Sequence, residues 1–277
     1  MTTHIDDGFT GASGDHIHWQ AWIPENPPIG VVVFSHGVGE HGGRYDWVAQ
    51  QLASHGYASY AIDHQGHGKS GGKRCNIDSM DGVVADLHTL IGIAGDKNHG
   101  LPVYLLGHSM GALISMQYMS GSPAALRGLI LSGAAVEITV GSALERLAAS
   151  ILSRLAPNLG VVAIEPSQVS RDPAVVHDYA NDPLNHHGQV PARTGAEILK
   201  TAENLESRLP RIELPLLILQ GTGDQIVSPS SGQILADTVS STDLTFKAYD
   251  GLYHEVLNEP EKETVMRDVI EWLKVRP

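Results

Sequence analysis

Val103-Tyr104-Leu105-Leu106-Gly107-His108-Ser109-Met110-Gly111 is an apolar run of strand length that ends in a Gly-x-Ser-x-Gly turn, and a helical pattern, Met110 to Met119, follows it. This spacing suits a sharp strand-to-helix turn, because glycines two before and two after a serine keep Cβ atoms out of the bend. The serine hydroxyl then stands above the strand end, with a helix N-terminus behind it that favours developing negative charge. The pattern marks Ser109 as a candidate nucleophile.

Similar apolar runs recur outward from this point: Val31 to Phe34, Ala58 to Asp63, Leu129 to Leu131, Leu214 to Leu219 and Leu244 to Tyr249. Helical patterns alternate with them, at Trp47 to His55, Met80 to Gly92 and Pro229 to Val239, and Glu261 to Val275 closes the chain. Runs without polar alternation suit strands covered on both faces, and intervening helices demand parallel crossovers. The expected fold class is therefore α/β, a mostly parallel, doubly wound central sheet with helices on both faces. In such folds the site lies at the carboxyl ends of the strands, where the Gly-, His- and Asp-bearing turns of this chain fall.

One stretch breaks the alternation. No strand is expected between Ser132 and Leu214. Instead Leu144, Leu147, Ala148, Ile151, Leu152 and Leu155 form one apolar helical stripe that Pro157 ends. A second helix is expected from about Thr194 to Arg208. The chain reads as one domain, 1–277, with a mainly helical cap inserted at 135–192. Such a cap hides its apolar face over a site or on a membrane, which makes Leu144 and Ile151 candidate substrate contacts.

An alcohol is a poor nucleophile until a base takes its proton, and on this architecture the partners follow in the order Ser, acid, His. Of the 15 histidines only His254 lies after Asp224, and Asp224 follows a strand through two turn glycines. The two residues are 30 apart, one strand–helix–strand unit, so they belong at the tips of neighbouring strands. Asp237, Asp243 and Asp250 are rival acids in helical or strand-approach contexts. The expected triad is Ser109, Asp224 and His254. Backbone N–H groups of Met110, after the nucleophile, and of Val38, in the loop Ser35-His36-Gly37-Val38-Gly39, are the expected oxyanion donors.

Composition narrows the function classes. Lys plus Arg number 18 against 31 Asp plus Glu, a formal charge of −13 at pH 7, which disfavours a phosphate-tracking surface and hence nucleic acid. The single cysteine, Cys75, excludes an intramolecular disulfide and any multi-cysteine metal site. His36, His41, His64 and His67 sit on two Gly-rich loops without helical metal-ligand spacing, so no metal and no cofactor is expected. Met1 to Gly8 has no basic n-region or apolar h-segment, so no recognisable secretory signal is expected there, and the apolar runs fall short of the ~18 residues a membrane span needs. Cytoplasmic residence is the default expectation, with peripheral membrane or envelope contact through the cap as an alternative. Oligomeric state leaves no trace in the sequence.

On Ser35-His36-Gly37-Val38-Gly39-Glu40-His41-Gly42-Gly43-Arg44-Tyr45, on Gly107-His108-Ser109-Met110-Gly111, on Gly221-Thr222-Gly223-Asp224-Gln225-Ile226-Val227 and on Tyr253-His254, the chain resembles the bacterial monoacylglycerol lipases of the α/β-hydrolase superfamily. The resemblance implies Ser109, Asp224 and His254 as triad, Val38 and Met110 as oxyanion donors, and a cap forming an apolar acyl channel. It also implies cleavage of a monoacylglycerol to fatty acid and glycerol through an acyl-enzyme. Two positions depart from the pattern: Ala112 replaces a second glycine after the elbow, and Glu255-Val256-Leu257-Asn258 offers no second histidine after His254. Glu40 and Arg44 are candidates for polar recognition of glycerol or for an ion pair pinning their loop. A broader carboxylesterase or lysophospholipase, and a non-catalytic ligand sensor, are the alternative readings.

Overall fold

The computed structural model describes residues 2–121, 126–136 and 152–276. Its main sheet has eight strands: β1 (Thr2–Thr10), β2 (His16–Pro24), β3 (Gly30–Ser35), β4 (Tyr57–Ile62), β5 (Val103–His108), β6 (Gly128–Ser132), β9 (Leu216–Gly221) and β10 (Leu244–Tyr249), the small strands β7 (Gly160–Val162) and β8 (Val190–Pro191) lying outside it. The spatial order is β1-β2-β4-β3-β5-β6-β9-β10. From β4 to β10 every pairing is parallel, whereas β2 runs antiparallel to β1 and to β4.

Helices α1 (Asp46–Ser54), α2 (Met80–Lys97), α3 (Met110–Ser120), α4 (Pro173–Asn181), α5 (Ala192–Glu206), α6 (Ser231–Thr238) and α7 (Lys262–Lys274) complete the frame. Strand residues alternate between two cores. Val31, Val33 and Leu105 pack with α2, α3, α5 and α6, while Val32, Phe34 and Leu106 pack with α1 and α7. Side chains of a strand alternate faces, so a run buried on both must be apolar throughout, as the β3 sequence is. This is the α/β-hydrolase fold.

Three expectations need correction. The first clear strand, Val31 to Phe34, is the third. The preceding hairpin escaped because β1, at the sheet edge, is polar and mostly exposed, and β2 carries His18 and Gln20 among its apolar residues. The stretch between Ser132 and Leu214 does contain strands, a ribbon of β7 (Gly160–Val162) and β8 (Val190–Pro191), too short for periodicity to register. The helix expected from about Thr194 to Arg208 spans Ala192–Glu206, its start set by Pro191 at the N-cap. Leu144 and Ile151, with most of the apolar stripe, lie outside the described residues; of that stripe, Leu152 and Leu155 are described.

Candidate active site

The elbow is built from what its glycines allow. A Cβ at Gly107 would lie 2.5 Å from the Gly111 carbonyl oxygen, and one at Gly111 would lie 1.9 Å from that of Ser35. Only glycines let β5, the start of α3 and the end of β3 approach this closely. Ser109 between them has φ 52° and ψ −115°, a strained backbone for a residue with a Cβ. Ala112 is fully buried within α3, where no left-handed conformation is required.

His254 and Asp224 stand at the tips of β10 and β9, which pair in parallel. His254 Nδ1 lies 2.8 Å from Asp224 Oδ2, so the ring donates its Nδ1–H to the carboxylate and leaves Nε2 as acceptor. The other carboxylate oxygen, Oδ1, accepts the N–H groups of Ile226 and Val227, each at 2.9 Å. Gln220 Nε2 donates to Oδ2 at 3.1 Å. Burial works to raise the Asp224 pKa, but the bonds to His254, Val227 and Ile226 prevail and hold it below the ordinary value. Gly221 and Gly223 let the two loops touch, since Cβ atoms there would meet the Leu252 and Gly251 carbonyl oxygens at 2.3 and 2.7 Å. The rival acids are engaged elsewhere: Asp237 with Gln233, Asp243 with Arg276 and Asp250 with Thr222.

Ser109 and His254 border one small recess of about 30 Å³ together with Gly37, Val38, Glu40, His108 and Glu255. No hydrogen bond joins the Ser109 hydroxyl to the imidazole in this conformation; such bonds commonly tighten only with substrate in place. From Ser109 a second space of about 840 Å³ leads away, walled by Val38, Met110, Leu152, Val161, Ile198, Leu199 and Val227. Two of its lining residues, Val161 (45%) and Val162 (55%), are also exposed, as are Leu155 (81%) and Leu159 (52%) nearby in the chain.

The loop after β3 is pinned by a buried charge cluster. Glu40 accepts the Gly37 N–H at 2.6 Å and the Tyr45 hydroxyl at 3.1 Å. Arg44 donates to Glu40 at 2.8 Å and forks onto both oxygens of Glu255 at 2.7 Å each. Its guanidinium also lies 4.7 Å from the Tyr179 ring centre. Burial opposes charge on Glu40, yet the neighbouring Arg44 holds its carboxyl down at about 2. For Arg44, Glu255 and Glu40 outweigh burial and raise the pKa. The Gly37 N–H is thus consumed, whereas those of Val38 and Met110 have no partner among the described residues.

The expected Glu40–Arg44 ion pair is present. Sequence reasoning missed that Glu255 completes it; the signal was a carboxylate directly after the candidate base. It also missed Gln220 and Tyr179, which carry no motif. The loop histidines are structural neighbours: His36 packs at a tilt against His64 and His67 at 4.5 and 5.2 Å between ring centres, and His41 bonds Asp182. Among the described residues no group of His, Cys, Asp or Glu is arranged to hold a metal ion.

Residues 26–261 match the family model described as serine aminopeptidase, S33. The chain belongs to this family. As a member of the serine aminopeptidase S33 family it is 40% identical over 273 residues to the monoacylglycerol lipase of Mycolicibacterium smegmatis, covering 98% of each chain. It is 34% identical to the monoglyceride lipase of Rattus norvegicus, over 96% of this chain and 89% of the relative. Among solved structures, that of Paleococcus ferrophilus monoacylglycerol lipase superposes with a TM-score of 0.82 at 28% identity, covering both chains completely. The resemblance carried by the motifs is thereby borne out.

Proposed function

We propose that this chain is a serine hydrolase that cleaves monoacylglycerols to fatty acid and glycerol. The observation that carries the reading is the meeting of two unlike spaces at Ser109: an apolar cavity of about 840 Å³ for an acyl chain and a small recess, edged by Glu40, His108 and Glu255, for the alcohol. The 40% identity to a named monoacylglycerol lipase over nearly the whole chain supports the same substrate class.

In this reading His254 Nε2 takes the proton of Ser109, and the oxygen attacks the ester carbonyl. The free N–H groups of Val38 and Met110 hold the oxyanion. His254 returns the proton to departing glycerol, and water repeats the sequence on the acyl-enzyme. Asp224 orients the imidazole and stabilises its cation. Residues 135–192 act as a cap over the strand ends of one domain, and Leu155, Leu159, Val161 and Val162 form its membrane-facing rim, where the lipid substrate resides. No helix among the described residues is long and apolar enough to cross a membrane.

A lysophospholipase is disfavoured by the alcohol-side charge: Arg44 is matched by Glu40 and Glu255, which leaves a net negative cluster facing any phosphodiester. The deciding test compares kcat/KM for monoacylglycerol, diacylglycerol, lysophospholipid, simple esters and an aminoacyl anilide. Monoacylglycerol should lead, and fluorophosphonate labelling should vanish in Ser109→Ala. Preference for lysophospholipid or anilide, or labelling that survives the substitution, would sink the proposal.

A further inference from the structure

Gln220 is buried on β9, four residues before Asp224, and its side chain makes an unusual pair of choices. The Nε2 amide donates to Asp224 Oδ2 at 3.1 Å and to the Gly221 carbonyl at 3.2 Å. Its Oε1 is buried with no partner. A buried carbonyl left unpaired loses its hydration without compensation, so this amide is held at the expense of its own acceptor. Turning it over would aim Oε1 at two other acceptors, which fixes the orientation. The stem is also clamped: a Cβ on Gly232 of α6 would lie 3.1 Å from Gln220 Cβ.

An ionised carboxylate offers about four acceptor sites. In Asp224 two backbone N–H groups occupy Oδ1, and His254 and Gln220 share Oδ2. Among the described residues Gln220 is thus the sole side-chain donor besides the imidazole, and it draws on the same oxygen. We propose that Gln220 is a positioning residue: it locks the Asp224 carboxylate from beneath and tempers its pull on the His254 proton. This deepens the hydrolase reading and rests on it. A donor on Oδ2 spreads the anionic charge, so the imidazolium is held less tightly and returns its proton to the leaving alcohol more readily.

The test measures kcat and KM against pH on a short chromogenic ester for wild type, Gln220→Met and Gln220→Glu, with melting temperature as a check on folding. Gln220→Met keeps the length and removes the donor. Its kcat should fall roughly tenfold, as for loss of one hydrogen bond to a charged group, with KM little changed. Its acid limb should move up by about half a unit, because the imidazolium is better stabilised, so its rate relative to wild type should rise with pH. Gln220→Glu should do the reverse. While protonated, its carboxyl donates to Asp224 and rescues the rate; once ionised it repels Asp224, so the relative rate falls as pH rises.

Opposite slopes support the positioning role. A relative rate independent of pH in both variants, or full activity in folded Gln220→Met, overturns it. If Gln220→Met does not fold, the slope of Gln220→Glu decides. Hydrolysis by wild type and its loss in Ser109→Ala test the underlying reading separately, so the two failures are distinguishable.

Discussion

Replacing Arg44 by Met leaves two buried carboxylates facing each other without a cation. The side chains of Arg44, Glu40 and Glu255 are 10%, 4% and 6% exposed, and three charge-assisted hydrogen bonds at 2.7–2.8 Å join them. Removing one partner of a buried pair costs about 3–5 kcal/mol, because the remaining charge has lost its hydration and its counter-ion. The titration of Glu40 agrees in direction: despite burial, its carboxyl sits at about 2 against 4.5 for the free group, with Arg44 the foremost of the neighbours that lower it. For a chain of this length a loss of about 3–5 kcal/mol lowers the melting temperature by on the order of 10 °C. Differential scanning calorimetry of Arg44→Met at pH 7 measures it, and adding Glu255→Gln should recover part of the loss by removing one stranded charge. The sign with pH also follows. Because the folded pKa is depressed, the Glu40 contribution is complete above about 4.5 and fades as pH falls toward 2. A melting shift under about 2 °C would mean that the cluster contributes less than 1 kcal/mol and would refute the reasoning.

Asp224→Asn should preserve the fold but lower kcat by about three to four orders of magnitude, since an amide in place of the carboxylate disfavours the productive tautomer; steady-state kinetics with circular dichroism checks this. His36, His64 and His67 are buried and, with burial as the main cause, titrate below the ordinary 6.5, His67 near 3. The unfolded chain therefore binds protons first, and denaturant midpoints should drop as pH falls below about 6.5; His64→Asn, if it folds, should flatten that slope. Gly195 on α5 lines the long cavity, and among the described residues a Cβ there would meet only Val161 Cγ2 at 3.5 Å. Gly195→Phe should thus fold, fill part of the channel and reduce kcat/KM for long acyl esters at least about tenfold relative to short ones; an unchanged chain-length profile would place the acyl group elsewhere.

The legible parts of this molecule were those where local geometry demands particular residue types. The elbow needed glycines at 107 and 111 because backbone passes within contact distance there, and that demand is written in the sequence. Strands buried on both faces had to be apolar, so β3, β5, β6 and β9 stood out. The β1–β2 hairpin did not, because an edge strand that tolerates His4, Asp6 and Asp7 has no such constraint. The ribbon of β7 and β8 was too short to carry a period. Glu255 meets Arg44 across 211 residues of chain, a meeting that no local pattern records, whereas Gln220 lies only four residues from Asp224 but carries no motif that marks it.

The segment from Val169 to His186 is fastened to the catalytic loops at several points. The Glu255 N–H reaches the Val169 carbonyl, His186 N–H the Gly39 carbonyl, and His41 the Asp182 carboxylate, while Tyr179 lies over Arg44. The β7 strand, by contrast, is held by its β8 partner and presents Val161 and Val162 to solvent. The two edges are therefore fastened unequally. On the proposed reading, lifting the riveted edge would pull on the loop of Gly39 and the segment of Glu255 together, whereas parting β7 from β8 breaks none of the bonds just named, so an acyl chain would thread in past the ribbon while the reacting groups stay registered.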